Sequence, residues 1–126
     1  MKKKHKDFSL TTPCDCPSCM KLENPKEAIG QAKVSIHHIP PRVILEVAQA
    51  MMEGSKKYGI YNYRKAGVHY STYYSSTFRH LAAFFEGEDI DKDSGLSHVT
   101  KAIAGLVVLR DSMIEGNAID DRPNNI

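Results

Sequence analysis

The chain has 126 residues, of which 41% are hydrophobic and 25% charged, with a formal net charge of +2. That length suits one domain and that composition is ordinarily globular. The near-neutral balance, whose excess comes from Lys2, Lys3, Lys4 and Lys6, argues against a broad nucleic-acid-binding face.

No stretch approaches the roughly 20 apolar residues of a membrane span, and the charged start lacks the apolar core of a secretory signal. Three cysteines crowded into residues 14–19 make no disulfide framework. Cytoplasmic residence, with no membrane and no nucleic-acid partner, is the expectation.

Residues 1–29 hold Pro13, Pro17 and Pro25 and little periodicity, so they are expected to form an irregular N-terminal arm. Residues 30–126 are expected to form a helical domain. Val34 to Ile39 alternates weakly and suggests a short extended piece. Pro41 then suits the first position of a helix, where a missing N–H is harmless.

A first helix is predicted over roughly 41–53, with Ile44, Val47, Ala48 and Met51 as its buried stripe and Gly54 as its stop. The glycine- and tyrosine-rich residues 54–70 read as a long loop, a kind often tied to function. A second helix, capped by Ser71, is predicted over roughly 72–86 with Tyr74, Phe78, Leu81, Ala82 and Phe85 inside. Gly87 ends it. A third, capped by Ser94, is predicted over roughly 95–115 with Leu96, Val99, Ile103, Leu106, Val107 and Ile114 inside, followed by Gly116 and a polar tail. The fold class is therefore all-α, a small bundle of three to four helices. So thin a core predicts a homo-oligomer.

Five groups of residues bear on chemistry. Glu88, Asp89, Asp91 and Asp93 lie within six residues between two helices. Such a cluster repels itself unless cations neutralise it, and Mg²⁺ or Mn²⁺ takes oxygen ligands of this type. A solvated acidic turn that helps cap the third helix is the other reading. On the first helix, Arg42, Glu46, Gln49 and Glu53 form one polar stripe, either an exposed face with an Arg42–Glu46 pair or a face on which a partly buried Glu46 needs a partner such as a metal.

His80 and His98 flank the acidic loop and could act as ligands, acid–base groups or structural residues. The run Lys56 to Lys65 mixes cations, tyrosines and Asn62, which can contact phosphate oxygens and a base, or simply pin a surface loop. Cys14, Cys16 and Cys19 could hold a structural zinc if His5, His37 or His38 supplied a fourth ligand; otherwise they are free thiols.

The order of several motifs goes further than any one of them. Ile39-Pro40-Pro41, Glu46-Val47-Ala48 and Gly54 to Arg64 are followed by Arg79-His80-Leu81, Gly87-Glu88-Asp89-Ile90-Asp91, Ser94 to His98, Leu109-Arg110-Asp111 and Asp120 to Pro123. Over roughly residues 30–123 this resembles the phage dATP/dGTP diphosphohydrolase family, whose members are similar to MazG-type all-α nucleoside triphosphate pyrophosphohydrolases. The resemblance implies hydrolysis of a purine deoxynucleoside triphosphate, dGTP or dATP, to the monophosphate and pyrophosphate with Mg²⁺, Mn²⁺ or Co²⁺. In some phages such an enzyme serves synthesis of a 2-aminoadenine genome, and a phage-encoded chain would work in the host cytoplasm.

Carried onto this chain, the resemblance implies Glu46, Glu53, Glu88 and Asp91 as metal ligands, with Asp89 and Asp111 as alternates. Glu46, His80 and His98 are the catalytic candidates. Lys57, Tyr58, Asn62, Arg64 and Arg79 are the substrate-binding candidates. The pattern departs from the MazG pairing, since Glu46 and Glu53 stand at i+7 rather than i+3, and Glu88-x-x-Asp91 lies in a loop. Two other readings compete: a non-catalytic, zinc-binding helical interaction protein of a phage, and a phosphohydrolase built on histidine–aspartate pairs. The chain has no adjacent His-Asp, which weighs against the second.

Overall fold

A computed structural model describes residues 24–125. The expected zinc ligands Cys14, Cys16 and Cys19 lie outside the described residues. The described residues fall into two compact units that divide between His38 and Ile39.

In the first unit, helix α1 (Pro25–Gln31) occupies part of what the sequence suggests is irregular. Pro25 sits at its first position, and the Asn24 side chain accepts hydrogen bonds from the backbone N–H groups of Lys26 and Glu27. A proline read as a breaker is here a helix starter. Ile36–His38 form a short 3-10 turn in place of the expected extended piece.

The second unit contains α2 (Pro41–Tyr58), α3 (Asn62–Ala66), strand β1 (Val68–His69), α4 (Tyr70–Phe85), α5 (His98–Glu115) and strand β2 (Ala118–Ile119). Gly54 does not stop α2. The helix continues one more turn, in which the Ser55 hydroxyl donates to the Met51 carbonyl and Lys56 and Lys57 complement the C-terminal dipole. Gly59, at φ 94°, ends it.

The two short strands pair in parallel, Val68 with Ala118 and His69 with Ile119. This brings the chain's polar tail to the start of α4, where Asp121 accepts the backbone N–H of Ser71 at 2.9 Å and also its hydroxyl. Ser71 is thus inside the helix, and the cap comes from fifty residues away in sequence. Likewise α5 is capped by Ser97, whose hydroxyl oxygen accepts from the N–H groups of Val99 and Thr100. Ser94 serves Asp91 instead.

Helices α4 and α5 lie side by side and antiparallel, with Thr77 against Gly105 and His80 against His98. α2 packs on α5. Small residues make the seams: Ala50 of α2, Thr77 of α4, and Thr100, Ala102, Ala104 and Ser112 of α5 are buried. A Cβ on Gly105 would lie 3.0 Å from the Thr77 hydroxyl, so the backbones approach closely.

The large side chains expected inside lie mostly outside. Tyr74, Phe78, Leu81 and Phe85 of α4, and Val99, Leu106, Val107 and Ile114 of α5, are exposed. Ile44 and Ala48 of α2 are exposed as well, with Val47 and Met51 half-buried. The physical reason is that apolar residues need not be inside; small residues set the closest helix contact and turn the bulky faces outward.

Candidate functional site

The acidic loop is a built turn. Between α4 and α5, the Asp91 N–H donates to the Leu96 carbonyl at 2.8 Å, Gly95 N–H to Asp91 carbonyl at 2.7 Å, and His98 N–H to Asp89 carbonyl at 2.9 Å. Gly87 takes φ 106°, which lets the chain leave α4. Inside the turn, the Asp91 carboxylate accepts the Ser94 hydroxyl at 2.7 Å and the N–H groups of Ser94 and Asp93. Burial alone would raise its pKa, but these donors together outweigh it and hold the carboxyl below its ordinary value.

This turn aims Asp91 at two imidazoles. His80, near the end of α4, and His98, the first residue of α5, face each other with their Nδ1 atoms 2.9 Å apart. One ligand atom from each of His80, Asp91 and His98 lies within 4.8 Å of the others. His98 is buried, and its Nε2 meets Glu88 Oε1 at 3.1 Å. Burial pushes the His80 pKa down; Asp91 opposes this, while His98, Lys101 and Arg79 add to it. Two nitrogens and one carboxylate oxygen form a donor set that suits a divalent cation. Among the described residues this is the group of three or more metal-capable side chains that closes to that distance.

Next to the trio, a cleft of about 260 Å³ opens between α2, α3, α4 and α5, with His80 in its wall. Ligand pockets commonly run from roughly 300 Å³ upward, so this one is small. Two ammonium groups line it. Glu53 bridges them, accepting Lys101 at 2.6 Å and Lys57 at 2.9 Å. Lys57 also reaches Asp93 at 3.0 Å. The Lys101 hydrogen bond, then that from Lys57, holds the Glu53 carboxyl below its usual range. Tyr58, Tyr63, Tyr73 and Asn62 complete much of the lining, and burial raises the Tyr63 and Tyr73 hydroxyl pKa values.

The residues singled out in sequence divide accordingly. Lys57, Tyr58, Asn62, Glu53 and His80 share the cleft, while Asp91 and His98 meet His80 beside it. The four carboxylates Glu46, Glu53, Glu88 and Asp91 do not converge. Glu46 accepts the Thr100 hydroxyl at 2.8 Å rather than pairing with Arg42, Glu53 is held by two lysines, and Glu88 stands behind His98. Of the alternates, Asp111 is clasped by both arms of the Arg64 guanidinium, at 2.8 and 3.0 Å. Asp89 offers its backbone carbonyl to the turn.

Arg64 is thereby directed away from the cleft lining, and Arg79 is exposed and outside it. Lys101, Tyr73 and Ser76 are not among the sequence candidates, and Tyr63 enters there only as one tyrosine of the Lys56 to Lys65 run. A signal existed for Lys101: it is a lone cation three residues after His98 in an otherwise apolar stretch, and residues three apart share a helix face.

Fold and site together define a small all-α domain that carries a lysine- and tyrosine-lined cleft beside a histidine–aspartate trio. The chain belongs to the family described as dATP/dGTP diphosphohydrolase, N-terminal, whose sequence model matches residues 23–122. No curated protein and no solved structure matches it. Among the described residues, no helix is long and apolar enough to cross a membrane.

Proposed function

We propose that this chain hydrolyses a purine deoxynucleoside triphosphate, dGTP or dATP, to the monophosphate and pyrophosphate. The observation that carries the reading is one cleft that combines two ammonium groups, three tyrosines and Asn62 with a wall formed by the trio's His80. Lys57 and Lys101 neutralise phosphate oxygens, held at a fixed spacing by Glu53. A tyrosine face stacks on the base, and the Asn62 amide hydrogen-bonds its edge.

Water attacks the α-phosphorus, the bond from that phosphorus to the bridging oxygen breaks, and pyrophosphate leaves with the electron pair. His80, Asp91 and His98 would hold a divalent cation, which would supply charge neutralisation and water activation there. Glu88 fixes the His98 ring through Nε2. The burial of the His98 ring strengthens the charge interactions that it makes.

A panel of deoxynucleoside triphosphates with Mn²⁺, scored for pyrophosphate and orthophosphate separately, tests the reading. Pyrophosphate release from dGTP or dATP, abolished by a chelator and weakened in KM by Lys101→Met, is the expected result. Orthophosphate as the first product, or no turnover of any triphosphate, overturns it.

A further inference from the structure

We propose that His80, Asp91 and His98 are a nitrogen–oxygen metal centre selective for borderline transition ions such as Mn²⁺, Co²⁺ and Zn²⁺ over Mg²⁺, with Glu88 as the carboxylate that orients His98. The proposal rests on the function above only for its place beside the cleft. An ion can load there whether or not a triphosphate is turned over.

Distance comes first. Metal–imidazole bonds of about 2.0–2.1 Å put two adjacent nitrogens on one ion roughly 3.0–3.4 Å apart. His80 Nδ1 and His98 Nδ1 already stand 2.9 Å apart, so the pair needs almost no movement to share an ion. Asp91 closes the third side within 4.8 Å, so it has at most roughly 1.5 Å to move to reach the ligand spacing that those bond lengths imply. Its Oδ2 takes the Ser94 hydroxyl and N–H, whereas Oδ1 takes only the long 3.4 Å contact from Asp93, leaving Oδ1 the freer donor.

Tautomers come second. Glu88 can only accept while ionised, so the hydrogen of a neutral His98 sits on Nε2, pointing at Oε1 3.1 Å away. That leaves His98 Nδ1 with a bare lone pair facing His80. Without an ion, the 2.9 Å contact is a hydrogen bond from His80 Nδ1–H. Metal binding asks His80 for one change, moving that hydrogen to its Nε2. A carboxylate behind a ligating imidazole is the usual outer support of a metal site.

Charge and softness come third. Asp91 and Glu88 carry two negative charges against a divalent ion, so the loaded site is neutral. Two imidazole nitrogens favour ions later in the divalent series, while Mg²⁺ prefers an all-oxygen shell. The carboxylates that could make such a shell, Glu46 and Glu53, are engaged by Thr100 and two lysines. Three protein ligands leave coordination positions for water and phosphate oxygens.

Titration of the full chain with Co²⁺ alone tests this through its visible d–d band. The expected result is a saturable band at one equivalent, displaced by Zn²⁺ and resistant to a large excess of Mg²⁺. His80→Ala and His98→Ala lose the band, and Glu88→Gln keeps it with affinity lower by about 10–100-fold. No saturable band in the wild-type chain, displacement by Mg²⁺, or wild-type binding by both histidine variants overturns the centre. Pyrophosphate release with Mg²⁺ by a chain that shows no Co²⁺ band would sink this proposal and leave the function standing. Stoichiometric Co²⁺ loading without turnover does the reverse.

Discussion

Replacing Gly54 with alanine separates the fold from the cleft. Gly54 lies within α2, and a methyl group built on it meets nothing within 4 Å. Alanine is favoured over glycine in a helix interior by about 0.8–1.0 kcal/mol, with no clash to set against it. For a domain of this size that corresponds to a midpoint raised by roughly 3–5 °C. The same position lines the cleft, so the methyl group enters the space assigned to substrate. Crowding of about 1 kcal/mol there raises KM roughly five-fold, with kcat little changed. Thermal melts by circular dichroism and steady-state pyrophosphate release read the two effects. An unchanged or lowered midpoint would refute an unbroken α2 through residue 54. A raised midpoint with wild-type KM would refute the placement of substrate along this face.

Gly67→Ala should do the opposite. At φ 82° and ψ 167° the backbone is in a region nearly reserved for glycine, and the new Cβ lies 3.2 Å from the Asn117 carbonyl. A loss of about 1–3 kcal/mol in urea unfolding with an unchanged slope is expected, and wild-type stability would contradict it. Ser97→Ala should lose about 1 kcal/mol through the α5 cap, with Ser97→Asp retaining most of the stability; equal melting of the alanine and wild-type proteins would show that Ser97 is not the cap.

The Glu53 carboxyl is held below its ordinary value of 4.5 by its lysine partners, so it contributes stability above the unfolded value that is lost as pH falls through the folded one. The stability gap between wild type and Glu53→Gln should therefore narrow below about pH 4.5. A gap constant from neutral pH to pH 3 would contradict the pairing.

The all-α class was legible because apolar residues recur at helical spacing and Gly87 and Gly116 end the last two helices where expected. Boundaries failed where a distant partner decided them. Asp121 at the far end of the chain fixes the start of α4, and Asp91 takes Ser94 so that the α5 cap moves to Ser97. The buried faces were not legible because bulk does not decide burial here: Thr77, Ala104, Gly105 and Ser112 set the α4–α5 contact.

At the site, the flanking of one acidic loop by His80 and His98 was visible in sequence. Their 2.9 Å meeting was not, since it depends on the turn that closes between Asp89 and His98. The role of Lys101 depends on Glu53, forty-eight residues away on another helix, a pairing that local sequence does not carry.

The position of bond cleavage tests the account most directly. Hydrolysis of dGTP in ¹⁸O-labelled water, with Mn²⁺ and both products analysed by mass spectrometry, should place the label in the dGMP phosphate and leave pyrophosphate unlabelled. Label in pyrophosphate, orthophosphate as a product, or an absence of turnover would contradict attack at the α-phosphorus in this cleft.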